Sequence, residues 1–292
     1  VLAADGAARA EQLASAPVVI GLCDAATLEA AKSLLWIQAL SAGVERCVGV
    51  PGLADRKIVL TNLQRTMGPS IAEHSIAMMM ALARGLPAFG RSQQAARWDD
   101  GDAITARMRE VGGRTMLVVG LGGIGTEVAR RAHGLGMRVI ATRNSSREGP
   151  DFVAKVGLSG ELNALAAEAD VVVNATPLTP GTTGIFDEAF FAAMKPGGYF
   201  ITIGRGASTR TDALIAALRS GQLAGAGLDV TDPEPLPADS PLWAMPNVII
   251  TPHVSASSDL QLERIAVIIA ENLRRYVAGE PLLNVVDIAR GY

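Results

Sequence analysis

Thr115–Gly125 reads TMLVVGLGGIG, and no other stretch restricts the fold of this chain as strongly. An apolar run, Met116–Val119, leads into Gly120-Leu-Gly122-Gly-Ile-Gly125, and the helix-forming Thr126-Glu-Val-Ala-Arg-Arg-Ala follows. A glycine-rich turn between a buried strand and a helix is the phosphate-binding turn of a dinucleotide fold. Gly120 permits the tight turn, Gly122 lets backbone N–H groups approach a pyrophosphate, and Gly125 lets the helix pack closely on the strand. Gly123 and Ile124 lie at the helix N-terminus, whose unpaired N–H groups and partial positive charge suit phosphate. A second strand, Arg138–Thr142, follows at the distance such a unit requires.

The strand pattern recurs at Val139–Thr142, Val171–Asn174, Tyr199–Ile203, Gly225–Val230 and Val248–Thr251. Helical patterns lie between most of these, at Thr126–Leu135, Ser159–Glu168, Asp187–Met194 and Asp212–Ser220. Near-continuous apolar strands alternating with helices predict a parallel sheet covered on both faces. Ahead of the fingerprint, Val18–Leu22, Leu35–Leu40 and Ile58–Leu60 read as strands, with a helix at Ala25–Ser33. Two long helices, Pro69–Arg84 and Asp259–Ala278, bracket the nucleotide-binding segment, and Leu283–Val286 reads as a closing strand. The predicted fold is therefore α/β, with two Rossmann-like domains built on doubly wound parallel sheets. A discontinuous substrate domain takes residues 1–84 and 260–292, and the dinucleotide domain takes 85–259. The Pro69–Arg84 helix is apolar on nearly every side and is expected to be buried between the domains. Its methionines, Met78–Met80, are expected in the core.

The 292 residues are 49% hydrophobic and 19% charged, enough for two separate cores. A net charge of −3 with interspersed signs, and 4% aromatics, argue against nucleic-acid binding. The most apolar helical stretch, Ser75–Ala83, is far short of a membrane span, so no membrane partner is expected. The two cysteines, Cys23 and Cys47, have no paired or metal-type spacing, and the three histidines are scattered, so no metal site is expected. Reduced thiols suggest the cytoplasm. Nothing reads as a signal peptide. The sequence starts at Val1 without methionine, inside a helical pattern.

In open α/β sheets, ligands bind beyond the carboxyl ends of the strands. Gly204-Arg205-Gly206 follows one strand, Thr231-Asp-Pro-Glu234-Pro-Leu the next, and Pro252-His253-Val-Ser255 the last. Arginine, acid and histidine at one sheet edge suit reduction of a 2-oxo acid by a nicotinamide hydride. His253 can supply the proton for the nascent alkoxide. Glu234 can orient the imidazole and stabilise its charged form. Arg205 can hold the carboxylate and polarise the carbonyl through its planar fork. Taken singly, each has a plainer reading: a structural histidine, a loop charge, a solvated turn. Their convergence opposite a nucleotide loop favours the catalytic one.

The acid that grips the ribose 2′-OH in NAD-dependent folds is missing after the second strand, where Arg143-Asn144-Ser145 stands. Arg143 can pair with a 2′-phosphate, and Asn144 and Ser145 can add hydrogen bonds. NADP(H) is therefore favoured, with NAD(H) possible if Arg143 only stacks on adenine.

These motifs, with Pro177-Leu-Thr-Pro-Gly-Thr-Thr183, Gly225-Ala-Gly-Leu-Asp-Val230 and Asn247-Val-Ile-Ile-Thr-Pro-His253, resemble the D-isomer-specific 2-hydroxyacid dehydrogenases along nearly the whole chain. The glyoxylate/hydroxypyruvate reductase-like branch is the nearest in character. The resemblance implies Arg205, Glu234 and His253 as the catalytic trio, and Asp229 as a contact of the nicotinamide amide. It adds Thr176, Pro177, Thr183, Ile203, Gly204 and Ser255 to the cofactor site. Ala42-Gly43 matches the loop that holds the substrate carboxylate, beside Arg205 and His253. Ile71-Ala-Glu-His74 matches the interdomain helix, with His74 structural. A homodimer through the nucleotide domain is implied, with Trp98 near the interface; apolar surface around Met116 and Pro87–Asp102 points the same way. Thr202 stands where the family more usually has Asn, and the family's first strand is expected ahead of Val1. Glu234, where the formate-oxidising branch has glutamine, argues against formate, which has no alkoxide to protonate. Gln64–Met67 and Trp243 are candidates for the substrate's outer wall. The contrasting reading is a non-enzymatic dinucleotide sensor on the same fold, as in some corepressors resembling this family.

Overall fold

The computed structural model describes residues 6–99 and 101–291. The chain divides into two units, Val1–Met67 with Ser258–Tyr292, and Gly68–Ser257.

The first unit holds β1 (Val18–Ile20), β2 (Trp36–Gln38) and β3 (Val59–Thr61), paired in parallel in that order. Leu13, Val19, Leu28, Ile37, Leu53 and Leu60 form its core. The helix Gln261–Ala278 is tied in by buried Asn272, whose Nδ2 donates to Gln38 Oε1 at 2.9 Å and whose Oδ1 accepts from Leu283 N at 2.7 Å. The expected closing strand at Leu283–Val286 is reduced to one antiparallel bridge, Val285 to Thr61. Asn284 takes a left-handed backbone, φ +55°, which breaks an extended run. Cys47 is buried, and Cys23 packs against the same core; both are free thiols.

The second unit is a seven-stranded sheet: β4 (Thr115–Val119), β5 (Arg138–Arg143), β6 (Lys155–Leu158), β7 (Val171–Asn174), β8 (Gly198–Thr202), β9 (Leu223–Leu228) and β10 (Val248–Ile250). The spatial order is β10-β9-β8-β7-β4-β5-β6, with every pair parallel. That is the doubly wound order, with its switch point between β4 and β7. Side chains alternate across the sheet. Leu117, Val119, Val172 and Phe200 join Phe186, Phe190, Leu214 and Leu218 in one core layer. Phe186 and Phe190 meet edge to face at 4.8 Å. Removing a ring such as Phe200 from this layer would cost about 3–5 kcal/mol.

The helix expected at Pro69–Arg84 runs Gly68–Ala83 and belongs to this second unit, so the boundary expected at residue 84 falls at residue 67. The reason is close packing on β9. A Cβ on Gly225 or Gly227 would meet Leu82 at 3.0 Å or Met78 at 2.9 Å. Arg131 also bridges the helix to the one after β4, pairing with Glu73 at 2.8 Å and Glu127 at 2.6 Å. Strand β6 was not legible in the sequence: it is a short edge strand with a single buried residue, Gly157, and no apolar run. The Ser159–Glu168 helix is shorter than expected, a 3₁₀ turn at Ser159–Glu161 followed by Leu162–Ala166. Met116 lies in β4 at 0% exposure and offers no outer surface. Among the described residues, no helix is long and apolar enough to cross a membrane.

Candidate active site

Gly120 leaves β4 with φ +95°, and a Cβ there would lie 2.9 Å from the Ala175 carbonyl. Gly125 is closer still: its Cβ would sit 2.1 Å from the Gly120 carbonyl, so the helix Gly123–Gly134 can approach the turn only with glycine at that position. Gly122 differs. It is exposed at the helix N-cap, makes no side-chain cap, and a Cβ there would meet nothing within 4 Å. Two glycines are thus required by packing, and the third opens the helix N-terminus, beside Gly123 and Ile124, to an incoming anion. This cradle fits a dinucleotide pyrophosphate.

The remaining cofactor candidates follow strands on either side of β4, at the same carboxyl edge. Arg143 is the last residue of β5, and its Nη1 donates to the Glu148 carbonyl at 3.1 Å. Asn144 Oδ1 accepts from Ser159 Oγ at 3.2 Å, and Ser145 is exposed. Thr176 and Pro177 follow β7. Pro177 and Thr183 are exposed, whereas Thr176 is turned inward, its hydroxyl donating to Asn174 Oδ1 at 2.7 Å. Ile203 and Gly204 follow β8 and are buried.

Arg205 sits between two glycines that have no room for side chains. A Cβ on Gly204 would lie 2.7 Å from the Thr176 carbonyl, and one on Gly206 would lie 1.8 Å from the Thr231 carbonyl. The loop carrying Arg205 is therefore pressed against the loop that leads to Glu234. Its guanidinium donates to the Gly204 carbonyl at 2.8 Å. Beneath it lies a network that sequence reasoning missed. Buried Asn174 donates to Thr202 Oγ1 at 3.0 Å and Ser208 Oγ at 2.8 Å, and accepts from the Thr176 amide and hydroxyl. Ser208 in turn donates to the Arg205 carbonyl at 2.6 Å. Every hydrogen-bonding position of the amide is used, which is what a buried amide requires. Thr202 is thus served by an amide on the adjacent strand. The sequence signal was an amide ending the apolar run Val171–Asn174.

Glu234 follows β9 and His253 follows β10, the neighbouring strand. Glu234 Oε1 lies 2.8 Å from His253 Nδ1, and both side chains are 44% exposed. Asp229, just after β9, is buried, and its carboxylate accepts from Thr251 Oγ1 at 2.7 Å, Val254 N at 3.0 Å and Ser255 N at 3.1 Å. Burial works to raise the Asp229 carboxyl, but the Ser255 and Thr251 hydroxyls and the Val254 and Ser255 amides outweigh it and hold it below the ordinary carboxylate range. Ser255, itself buried, thereby serves Asp229. Trp243 is held by its indole N–H to the Pro237 carbonyl at 2.9 Å.

In the first unit, Ala42 and Gly43 follow β2 at its carboxyl end. The Ala42 carbonyl accepts from Asn62 Nδ2 at 2.8 Å and the Gly43 carbonyl from Ser41 Oγ at 2.6 Å, so the loop is braced from within.

Residues 76–255 match the family model described as D-isomer specific 2-hydroxyacid dehydrogenase, NAD binding domain. The chain belongs to the D-isomer specific 2-hydroxyacid dehydrogenase family. A glyoxylate reductase of Korarchaeum cryptofilum is 34% identical over 266 residues, 90% of this chain and 79% of that protein. A D-3-phosphoglycerate dehydrogenase of Archaeoglobus fulgidus is 33% identical over 271 residues, and the chain spans about half its length, 49%. Among solved structures, an NADPH-dependent glyoxylate/hydroxypyruvate reductase of Sinorhizobium meliloti, in complex with NADP and sulfate, is 31% identical with a TM-score of 0.86, over 99% of this chain and 90% of that one. The family is one of NAD(P)-dependent oxidoreductases, and the glycine cradle after β4 is the part of this chain that fits its cofactor.

Proposed function

We propose that this protein reduces a small 2-oxo acid to the D-2-hydroxy acid with NADPH in preference to NADH. The Glu234–His253 contact of 2.8 Å, made between the segments after β9 and β10, with β9 pairing the strand β8 that leads into Arg205, carries the reading. The bound cofactor supplies the hydride. His253 donates a proton to the developing alkoxide and recovers it in the reverse direction. Glu234 holds the imidazolium, and Arg205 pairs with the substrate carboxylate and polarises the carbonyl. Ala42 and Gly43 are the substrate-binding candidates of the first unit, and the second unit takes the cofactor. Arg143, at the end of β5, would pair with the 2′-phosphate of NADPH, in keeping with relatives crystallised with NADP or NADPH. Steady-state kinetics on a panel of 2-oxo acids with both reduced cofactors test the reading. Tight nucleotide binding without turnover would favour a sensor instead.

We further propose that the protein is a cytoplasmic homodimer. Trp98, 96% exposed beside Phe89 and Met108, suits a contact with a second copy. Sedimentation should give a dimer at micromolar concentration, and Trp98→Ala should weaken it; a monomeric wild type would reject this contact.

A further inference from the structure

His253 has a left-handed backbone, φ +54°. A residue with a side chain holds that conformation only where the surroundings over-determine it. Here most of the restraint comes from Asp229. Its carbonyl accepts from His253 N at 2.8 Å, Oδ1 from Val254 N at 3.0 Å, and Oδ2 from Ser255 N at 3.1 Å. Three consecutive amides of the loop are therefore tied to one residue, and the direction of its carboxylate fixes where the loop lies.

That carboxylate is steered from its other side. An ionised carboxylate only accepts, so Thr251 Oγ1, 2.7 Å from Asp229 Oδ1, must spend its single proton there. The same hydroxyl lies 2.9 Å from His74 Nε2. With its proton spent, it can only accept from the imidazole, so His74 Nε2 carries a hydrogen and donates. The bonds run in one direction, from His74 through Thr251 to Asp229, and all these residues belong to the second unit. The His74 side chain is 25% exposed, so the ring does not fill an enclosed core position.

We propose that His74 is a positioning residue for the reaction: its Nε2–H, acting through the Thr251 hydroxyl, sets the Asp229 carboxylate that holds the backbone of His253. The inference rests on His253 as the acid–base residue.

The test uses the full chain with NADPH and glyoxylate or hydroxypyruvate, comparing wild type with His74→Leu, His74→Gln, Thr251→Val and His253→Ala. His74→Leu should lower kcat about tenfold, the scale of a small misplacement. His74→Gln, which restores an N–H donor, should recover most of the rate. Thr251→Val should match His74→Leu, and the double variant should lose no more than either alone. Independently of turnover, hydrogen exchange at the Val254 and Ser255 amides should quicken in His74→Leu and not in His74→Gln. If His74→Leu does not fold, Thr251→Val carries the same kinetic and exchange readouts. Wild-type kcat and exchange in these variants, equal losses for Leu and Gln, or additive losses would overturn the proposal. A His253→Ala variant at wild-type rate would overturn the acid–base reading itself. A slow His253→Ala beside an unimpaired His74→Leu would overturn only the role of His74.

Discussion

The Glu234 carboxylate lies 2.8 Å from Nδ1 of His253, which assigns the Nδ1 proton to that contact and leaves Nε2 for exchange with a substrate. In the proposed reaction the carboxylate would hold the imidazolium, the form that donates a proton during reduction. Glu234→Gln keeps the shape and removes the charge. The pH optimum for reduction should then move to lower pH, with a reduced kcat. An optimum that stays in place in the kcat–pH profile would take Glu234 out of this role.

Asp229 gives a prediction for acid stability. Its folded carboxyl is held below the usual range, so it favours the folded state fully above the unfolded value, near 3.9. That contribution is lost as the pH falls through the lower folded value. Asp229→Asn should therefore be less stable than wild type at neutral pH, and the gap should narrow below about pH 4. Urea midpoints for both proteins across that range decide it; a gap independent of pH would mean that the charge contributes nothing.

Arg143 ends β5 where an acid would select NADH. If its guanidinium pairs with the 2′-phosphate, Arg143→Ala should weaken NADPH by roughly 1.5–3 kcal/mol, or about ten- to a hundredfold, and leave NADH nearly unchanged. Arg143→Asp should invert the preference, since it repels the phosphate and offers the ribose hydroxyls an acceptor. The measurement is kcat/KM for both cofactors at fixed salt. Equal weakening of both would reduce Arg143 to a stacking surface.

The second unit was legible because its strands are short apolar runs that end in glycine, proline or charge, with helical periodicity between them. That pattern alone places Arg205, Glu234 and His253 at one edge, and their strands β8, β9 and β10 are consecutive neighbours in the sheet. What escaped has local causes. Lys155–Leu158 is an exposed edge with no apolar run. The affiliation of the Gly68–Ala83 helix depends on missing Cβ atoms at Gly225 and Gly227, a matter of packing rather than pattern. Asn174 and Thr251 act through hydrogen bonds to residues more than twenty positions away, which no spacing rule announces.

Proton donation by His253 to a 2-oxo acid as NADPH is oxidised can be read from the rate of NADPH consumption by wild type and His253→Ala across a panel of 2-oxo acids. Wild type should turn over at least one small member of the panel. His253→Ala should lose about 10²-fold or more in kcat while binding NADPH with nearly unchanged affinity. A wild type that binds NADPH tightly yet consumes none above background, or a His253→Ala variant that keeps the wild-type rate, would rule out proton donation by His253.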